Sequence, residues 1–151
     1  MLTVDVGLDS SHEYATGISV AEIIRNVHGK KSGVVAATVD GVQVDLSHEI
    51  HSDCTVLPIL NSSDEGLYIL RHSCAHLLAQ AVLEFFPNAK PTIGPPIEHG
   101  FYYDFHMPAP TEEQLRSIEK RMKELVKQNI EIEREEYDIE TLRQMFANNQ
   151  F

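Results

Sequence analysis

The chain has 151 residues, 42% of them hydrophobic, so it is long enough for one ordinary domain or two small ones with packed cores. Its formal net charge of −11 at pH 7 excludes a broadly basic nucleic-acid-binding surface. Two cysteines, Cys54 and Cys74, do not make a disulfide framework, and the sequence shows no signal peptide, lipidation motif or membrane-spanning run. We therefore expect a soluble cytoplasmic protein that makes no contact with a membrane.

The chain begins with the pattern of two strands and a helix. Apolar and polar residues alternate over residues 2–6, and with an extended piece around Tyr14 they predict a hairpin. Ser19 and Glu22 have the spacing of a capping box, which predicts the start of a helix. Gly29 stands where that helix would end in a left-handed residue.

Three further strands follow this helix. Val34–Val39 and Val42–Leu46 flank Asp40-Gly41, a dipeptide that suits the positive φ angles of a type I′ hairpin turn. Thr55–Leu60 is predicted as the last strand. Strand, strand, helix and three strands within 61 residues are the order of a β-grasp (ubiquitin-like) fold, so residues 1–61 are predicted to be one α+β domain.

A polar, turn-rich stretch, Asn61–Gly66, is the predicted domain boundary, and a long helix is predicted over Leu67–Phe86. Ser62 and Glu65 have the spacing of its capping box, and Pro87 ends it. The predicted buried stripe of this helix consists of Leu67, Leu70, Cys74, Leu77, Leu78, Ala81 and Phe85.

The second half continues with short extended pieces and two helices. Gly94-Pro95-Pro96 predicts a rigid turn, and the aromatic run Phe101–Phe105 predicts a strand. Ile130 and Ile132 alternate with glutamates, which predicts another short strand. Such a small sheet is unfinished, so residues 67–151 are predicted to be an incomplete α+β domain and the chain a fragment. Thr111 and Gln114 are predicted to cap a helix with the apolar face Leu115, Ile118, Met122, Leu125 and Val126, and Asp138 to cap one with Leu142, Met145 and Phe146.

His72 and His76 are the first candidate functional residues, because a four-residue spacing places both rings on one side of the predicted helix. They allow three interpretations: the edge of a core, a site for hydrogen bonding and proton transfer, or a metal site. A metal would need a third and usually a fourth ligand, and Cys74 lies roughly 200° around the helix from His72. Ser73 stands where the metalloprotease helix motif has glutamate.

Gly94, Tyr102 and Tyr103 also allow two interpretations. Gly94 either belongs to a simple turn or lets a ligand approach the backbone closely. Tyr102 and Tyr103 point to opposite faces of a strand, so one can enter a core while the other borders a cleft together with Asp104. His99 and His106 are predicted to be solvated loop residues, and the glutamates between 131 and 136 a solvated run.

Two motifs carry a resemblance to a known family: RHSCAHLLAQAV at Arg71–Val82 and IGPPIEHGFYYDF at Ile93–Phe105. Together with the β-grasp pattern and its internal VDG turn, they resemble the N-terminal part of threonyl-tRNA synthetases (threonine–tRNA ligases) over nearly the whole chain. Residues 1–61 resemble the TGS domain of that family, and residues 67–151 resemble the first part of its editing domain, which alanyl-tRNA synthetases share.

The resemblance implies roles for five residues of this chain. His72 and His76 match the two histidines of the editing motif, which would position the ribose and the attacking water. Gly94, Tyr103 and Asp104 match positions around the same pocket, where they would bind the substrate. The family completes this pocket with a Cys-x-x-x-His element, and no cysteine follows Cys74 here.

The resemblance also implies the wider enzyme: an ATP-dependent class II ligase that attaches threonine to tRNA(Thr) and hydrolyses mischarged Ser-tRNA(Thr). ATP, Mg and Zn would belong to a catalytic domain outside this sequence, as would the contacts of a homodimer, and we expect the chain itself to need no cofactor and to be inactive alone. Two other hypotheses remain: a non-catalytic TGS-type module that binds a ligand or RNA, and a metal-dependent hydrolase in which His72 and His76 are ligands.

Overall fold

The structure, a computed structural model, describes residues 1–7, 10–30, 32–130 and 135–149. The chain divides into two compact units, Met1–Leu70 and Arg71–Phe151. Both combine helices with short strands, so the predicted α+β class is confirmed. Within the described ranges, no helix has the length and apolar character needed to cross a membrane.

The first unit is built on a mixed five-stranded sheet. Its elements are the strands Leu2–Asp5 (β1), Ser11–Tyr14 (β2), Ile18–Ser19 (β3), Val34–Val39 (β4), Val42–Val44 (β5), Glu49–Ile50 (β6) and Cys54–Leu60 (β7), and the helix Val20–His28 (α1). The sheet order is β2-β1-β7-β4-β5, with β1 and β7 parallel and the other neighbours antiparallel. This is the predicted β-grasp arrangement, in which α1 packs its apolar face on the sheet. The side chains of Val4, Val20, Ile23 and Val56 are fully buried between them.

Local sequence patterns set most boundaries of this unit. Ser19 caps α1 in a complete capping box with Glu22, as predicted. Asp40 and Gly41 have φ angles of 49° and 82°, as a type I′ turn requires. Gly29 has φ 79° but ψ 173°, so the prediction of a left-handed helical residue was wrong in ψ. The chain leaves α1 in an extended direction that glycine tolerates.

The long helix, Asp64–Phe85 (α2), begins earlier than predicted and has a different cap. The Gly66 N–H donates to Ser63 Oγ at 3.0 Å, so Ser63 and not Ser62 is the capping residue. The reason is a tight approach to the preceding strand, because a Cβ at Gly66 would lie 1.9 Å from the Leu60 carbonyl oxygen. The backbone can turn this closely only with glycine at the third helical position.

The buried side of α2 also differs from the predicted stripe. Leu70 and Phe85 are 37% and 46% exposed, whereas Ala75 and Val82 are buried. Ala79 is buried as well, and so is Ala81, the one member of the predicted stripe that is fully buried. Small side chains let neighbouring segments approach the helix closely, so the alanines rather than the larger residues mark its most buried positions.

The second unit holds two separate two-stranded ladders and two further helices. Its elements are Lys90–Pro91 (β8), Pro96–Ile97 (β9), Gly100–Phe101 (β10), Phe105–His106 (β11), Glu112–Gln128 (α3) and Ile139–Met145 (α4). β9 pairs with β10, and β8 pairs with β11, both antiparallel. The predicted single strand Phe101–Phe105 was therefore wrong, because its two ends have different partners. The predicted turn at Gly94-Pro95-Pro96 was also wrong, since Pro96 belongs to β9 and the chain turns at Glu98-His99.

The helices of the second unit begin where the sequence predicted. Thr111 and Gln114 form a complete capping box at the start of α3, and Asp138 caps α4 by accepting a hydrogen bond from the Thr141 N–H. Ile118 and Leu125 of α3 are buried in a core with Ala81, Val82 and Ala89. The rest of the predicted apolar faces is more open, with Leu115, Val126, Met145 and Phe146 all more than half exposed.

Two predictions fall at or beyond the edge of the described residues. Ile130 lies in no strand, and Ile132, its predicted strand partner in the alternation, lies outside the described residues, as do the glutamates at 131 and 133. Among the histidines predicted in loops, His99 lies in the exposed turn, whereas His106 belongs to β11.

Candidate functional site

The two histidines of α2 contact each other. Their Nε2 atoms lie 3.0 Å apart, and the ring centroids lie 4.6 Å apart with the ring planes at 82°. Both side chains are exposed, so a ligand could reach them from solvent. The contact follows directly from the four-residue spacing on a continuous helix, which stacks His76 one turn above His72.

A hydrogen bond between two Nε2 atoms restricts the protonation of the pair. In the neutral state one Nε2 carries the proton and donates, and the other Nε2 accepts. The donating ring then keeps a bare Nδ1, whereas the accepting ring has an Nδ1–H. A neutral pair of this kind therefore offers one further acceptor and one further donor to a ligand.

Partial burial, followed by the neighbouring imidazole of His72, lowers the pKa of His76 below its ordinary value of 6.5. His76 is therefore neutral at pH 7. A neutral imidazole can accept a proton from water or a hydroxyl group, which a charged one cannot do.

A metal ion at this pair would need at least one further ligand besides the two imidazoles. Within the part of the chain that the structure describes, no group of three or more His, Cys, Asp or Glu side chains is arranged to hold a metal ion.

Gly94 and Tyr103, the next two candidate residues, are in close contact. A Cβ added to Gly94 would lie 2.2 Å from Cδ2 and 2.5 Å from Cε2 of the Tyr103 ring. The ring thus packs against the backbone of Gly94, and no larger residue fits there without moving it. The other neighbour of Tyr103 is Phe105, whose ring stacks on it at 4.6 Å and 22°.

Asp104 lies in the same segment, held by its backbone. Its N–H donates to the Ile93 carbonyl at 2.8 Å, and its carbonyl accepts from both the N–H and the Oγ1 of Thr92. This pairing sets the register that brings Tyr103 onto Gly94. Because side chains alternate along the segment, Tyr103 and Phe105 are half-buried and the Asp104 carboxylate is exposed.

The aromatic segment is anchored on the core that α2 helps to form. Phe105 packs against the buried cluster that includes Ala81 and Val82, and Leu77 and Leu78 pack against the same cluster. Leu77 directly follows His76 in α2. The structure thus assembles the five candidate residues into two groups, the His72–His76 pair and the Gly94–Tyr103–Asp104 segment, each attached to this one core.

Sequence reasoning missed several features around these groups. Thr92 closes the hydrogen bonds of the aromatic segment, but a lone threonine gives no pattern to detect. Arg121 of α3 makes a bidentate ion pair with Glu84 of α2, 37 residues away, a separation that no periodicity reveals. An open cleft lined largely by Phe85, Phe86, Pro87, Ala89, Met107 and Pro108 was also not predicted, and none of the candidate site residues lines it.

Comparison with known proteins gives a consistent result, although no protein-family model matches the chain. The chain is 50% identical over 127 residues to a threonine–tRNA ligase of Pelobacter propionicus, an alignment of 83% of the chain and 20% of the ligase. It is 41% identical over 140 residues to that of Symbiobacterium thermophilum, with 91% and 22% covered, and 46% identical over 122 residues to that of Thermoplasma acidophilum, with 81% and 18% covered. The chain is thus a relative of the threonine–tRNA ligases along most of its own length, and it spans about a fifth of theirs.

Proposed function

We propose that this chain serves a threonine–tRNA ligase as part of a hydrolytic proofreading site that removes serine from mischarged tRNA(Thr). In this proposal residues 1–61 are a TGS domain and residues 67–151 are the first part of an editing domain. His72 and His76 carry the chemistry, and Gly94, Tyr103 and Asp104 contribute to substrate binding.

The observation that carries the proposal is the Nε2–Nε2 contact of 3.0 Å between two exposed imidazoles. Hydrolysis of an aminoacyl ester requires a water molecule to lose a proton as it attacks the carbonyl carbon. The ester bond to the ribose oxygen then breaks, and that oxygen takes up a proton. A neutral pair with one acceptor and one donor matches both needs: the acceptor binds the water, and the donor binds a ribose hydroxyl or the leaving oxygen.

The Gly94–Tyr103–Asp104 segment supports the substrate-binding part of the proposal. The Tyr103 ring is held from two sides, by the Gly94 backbone and by the Phe105 ring, so its position is fixed before any ligand arrives. The Asp104 carboxylate next to it is exposed and can accept hydrogen bonds from an ammonium or hydroxyl group of a substrate. A preorganised aromatic ring beside an acceptor suits the aminoacylated end of a tRNA.

A ligase for threonine has a chemical reason to use such a second site. Serine lacks one methyl group of threonine, and a missing methyl group changes binding in a pocket by only about 1–3 kcal/mol. Discrimination of this size leaves a fraction of tRNA(Thr) charged with serine. Hydrolysis at a separate site removes the serine from this fraction of the tRNA.

The aminoacylation reaction and its cofactors are assigned to residues outside this chain. Class II aminoacylation with ATP, Mg and Zn, the homodimer contacts and a cytoplasmic location belong to the complete ligase. We propose that the chain alone does not hydrolyse Ser-tRNA(Thr), because the Cys-x-x-x-His element of the family's editing pocket has no counterpart in this sequence.

The test uses the complete ligase with His72→Ala and His76→Ala, alone and together, and measures the first-order rate of Ser-tRNA(Thr) hydrolysis at saturating enzyme. We expect each substitution to slow hydrolysis by about 10²–10⁴-fold, the range for a general acid or base. His99→Ala is the matched control, because His99 is exposed in a turn of the same unit and belongs to neither candidate group. Hydrolysis at the normal rate in the double variant would refute the proposal and favour a non-catalytic binding module.

A further inference from the structure

The outward face of α3 carries an unbroken line of positive charge. Arg116, Lys120, Lys123 and Lys127 fall within an arc of about 60° at ~100° per residue, and all four side chains are exposed. We call these four residues the α3 basic ridge. The buried residues Ile118 and Leu125 lie on the opposite side of the helix.

This ridge contrasts with the chain as a whole, which has a formal net charge of −11. The acidic residues of α3 flank the ridge and do not interrupt it. Arg121, the fifth basic residue of the helix, does not belong to the ridge, because it points to α2 and pairs with Glu84. The ridge is therefore separate from the ion pair that joins α3 to α2.

Two residues of the α3 basic ridge have ion-pair partners, and both partner carboxylates compete only weakly with another anion for these cations. Arg116 pairs with Glu112 and Lys123 with Glu119, each four residues earlier on the same helix. The paired side chains are 65–88% exposed, so water and salt screen them and a stronger anion can displace the carboxylates. Lys120 and Lys127 make no ion pair within the described residues, so no described carboxylate has to be displaced before these two lysines bind an anion.

We propose that the α3 basic ridge binds the sugar-phosphate backbone of the tRNA. The ridge rises over 11 residues, or about 16 Å at ~1.5 Å per residue. Its four cations therefore form a row long enough to contact several consecutive phosphates of one nucleic-acid strand. No aromatic side chain stands on the ridge, so it contacts the backbone without reading bases.

This inference rests on the proposed function, since it takes tRNA to be the substrate of the complete ligase, but it assigns a surface outside the proofreading residues. The charge complementarity also argues against a protein partner for the ridge. Protein interfaces are depleted of lysine at their cores, whereas a row of lysine and arginine is typical of phosphate contacts.

The test is the double variant Lys120→Gln/Lys127→Gln in the complete ligase. Glutamine keeps the helix propensity of lysine, so α3 is expected to fold normally, and circular dichroism checks this. Affinity for tRNA(Thr) is measured by filter binding over a series of salt concentrations. We expect weaker binding and a slope of log K against log salt that is smaller by about 1 for each lysine removed.

Arg25→Gln/Lys30→Gln is the matched control, because it removes the same charge from exposed positions of the first unit. We expect it to leave the salt slope unchanged, and we expect an unrelated tRNA to show the same dependence on the ridge as tRNA(Thr). An unchanged slope in the ridge variant, an equal loss in the control, or a loss confined to tRNA(Thr) would each overturn the inference. The His72 and His76 variants report separately on proofreading, because their readout is hydrolysis and not the salt dependence of binding.

Discussion

Gly94→Ala tests the contact that positions Tyr103. The new Cβ would lie 2.2 Å from the ring, so the ring or the backbone must move by about 1.2 Å to reach the 3.4 Å of ordinary contact. Overpacking of this size costs about 1–3 kcal/mol. Because the φ of Gly94 lies outside the left-handed region, the cost comes from the clash and not from backbone strain.

Amide hydrogen exchange measures this effect locally. The Asp104 N–H donates to the Ile93 carbonyl, so its exchange reports the opening of the segment that joins the two residues. We expect Gly94→Ala to speed exchange of this amide by roughly 5- to 150-fold, the equivalent of 1–3 kcal/mol. The ring stack between Tyr103 and Phe105 should loosen with it, seen as a change in ring chemical shifts.

A double-mutant cycle separates the clash from other effects. In the background of Tyr103→Ala there is no ring to meet, so Gly94→Ala should then change exchange of the Asp104 amide by less than about twofold. The difference between the two backgrounds is the coupling of the two residues. If Gly94→Ala accelerates exchange equally with and without the Tyr103 ring, the reasoning from this contact is wrong.

Three further predictions concern the helices. Ser63→Ala should lower stability by about 1 kcal/mol in urea unfolding, whereas Ser62→Ala should have little effect; the reverse would contradict the assigned cap. NMR titration should place the pKa of His76 below 6.5, and His72→Ala should raise this pKa. Because the folded state binds the His76 proton more weakly than the unfolded state does, the free energy of unfolding should fall as the pH drops through 6.5. A pKa of His76 at or above 6.5 would contradict both expectations. Arg121→Met should lower the melting temperature at neutral pH, because it removes the ion pair with Glu84. Since this ion pair lowers the pKa of Glu84, the difference in melting temperature between the two proteins should be full above pH 4.5 and should shrink in acid. A difference that does not change with pH would argue against this ion pair.

The features that sequence predicted well are those set by residues a few positions apart. The capping boxes at Ser19 and Thr111 and the Asp40-Gly41 turn depend on side chains and φ preferences within four residues, and all three were confirmed. The β-grasp order also followed from alternation and turns, because the fold is built from short consecutive elements. The contact of His72 with His76 needed only the helical repeat.

The features that sequence missed depend on distant segments. The capping residue of α2 is Ser63 and not the predicted Ser62, because the backbone of Gly66 lies close to the Leu60 carbonyl oxygen. The spacing of capping residues along the sequence contains no information on such an approach. Similarly, the contact of Gly94 with Tyr103 depends on the pairing of two segments whose register only the folded chain fixes. The resemblance to a family implied a role for both residues, but composition and spacing alone did not predict that Gly94 and Tyr103 are in contact.

The parallel pairing of β1 with β7 has a consequence for synthesis of the protein. β1 occupies the interior of the sheet, yet its parallel neighbour, and the Asp53 carboxylate that accepts from the Thr3 N–H, come 50 residues later. At 5–20 residues per second, a ribosome needs about 3–10 s to make the intervening chain. A two-stranded hairpin alone is marginally stable at best, so β1 and β2 have no complete sheet to join until β7 has been made. Val4, which is fully buried in the finished sheet, therefore reaches its buried position only after β7 has been made.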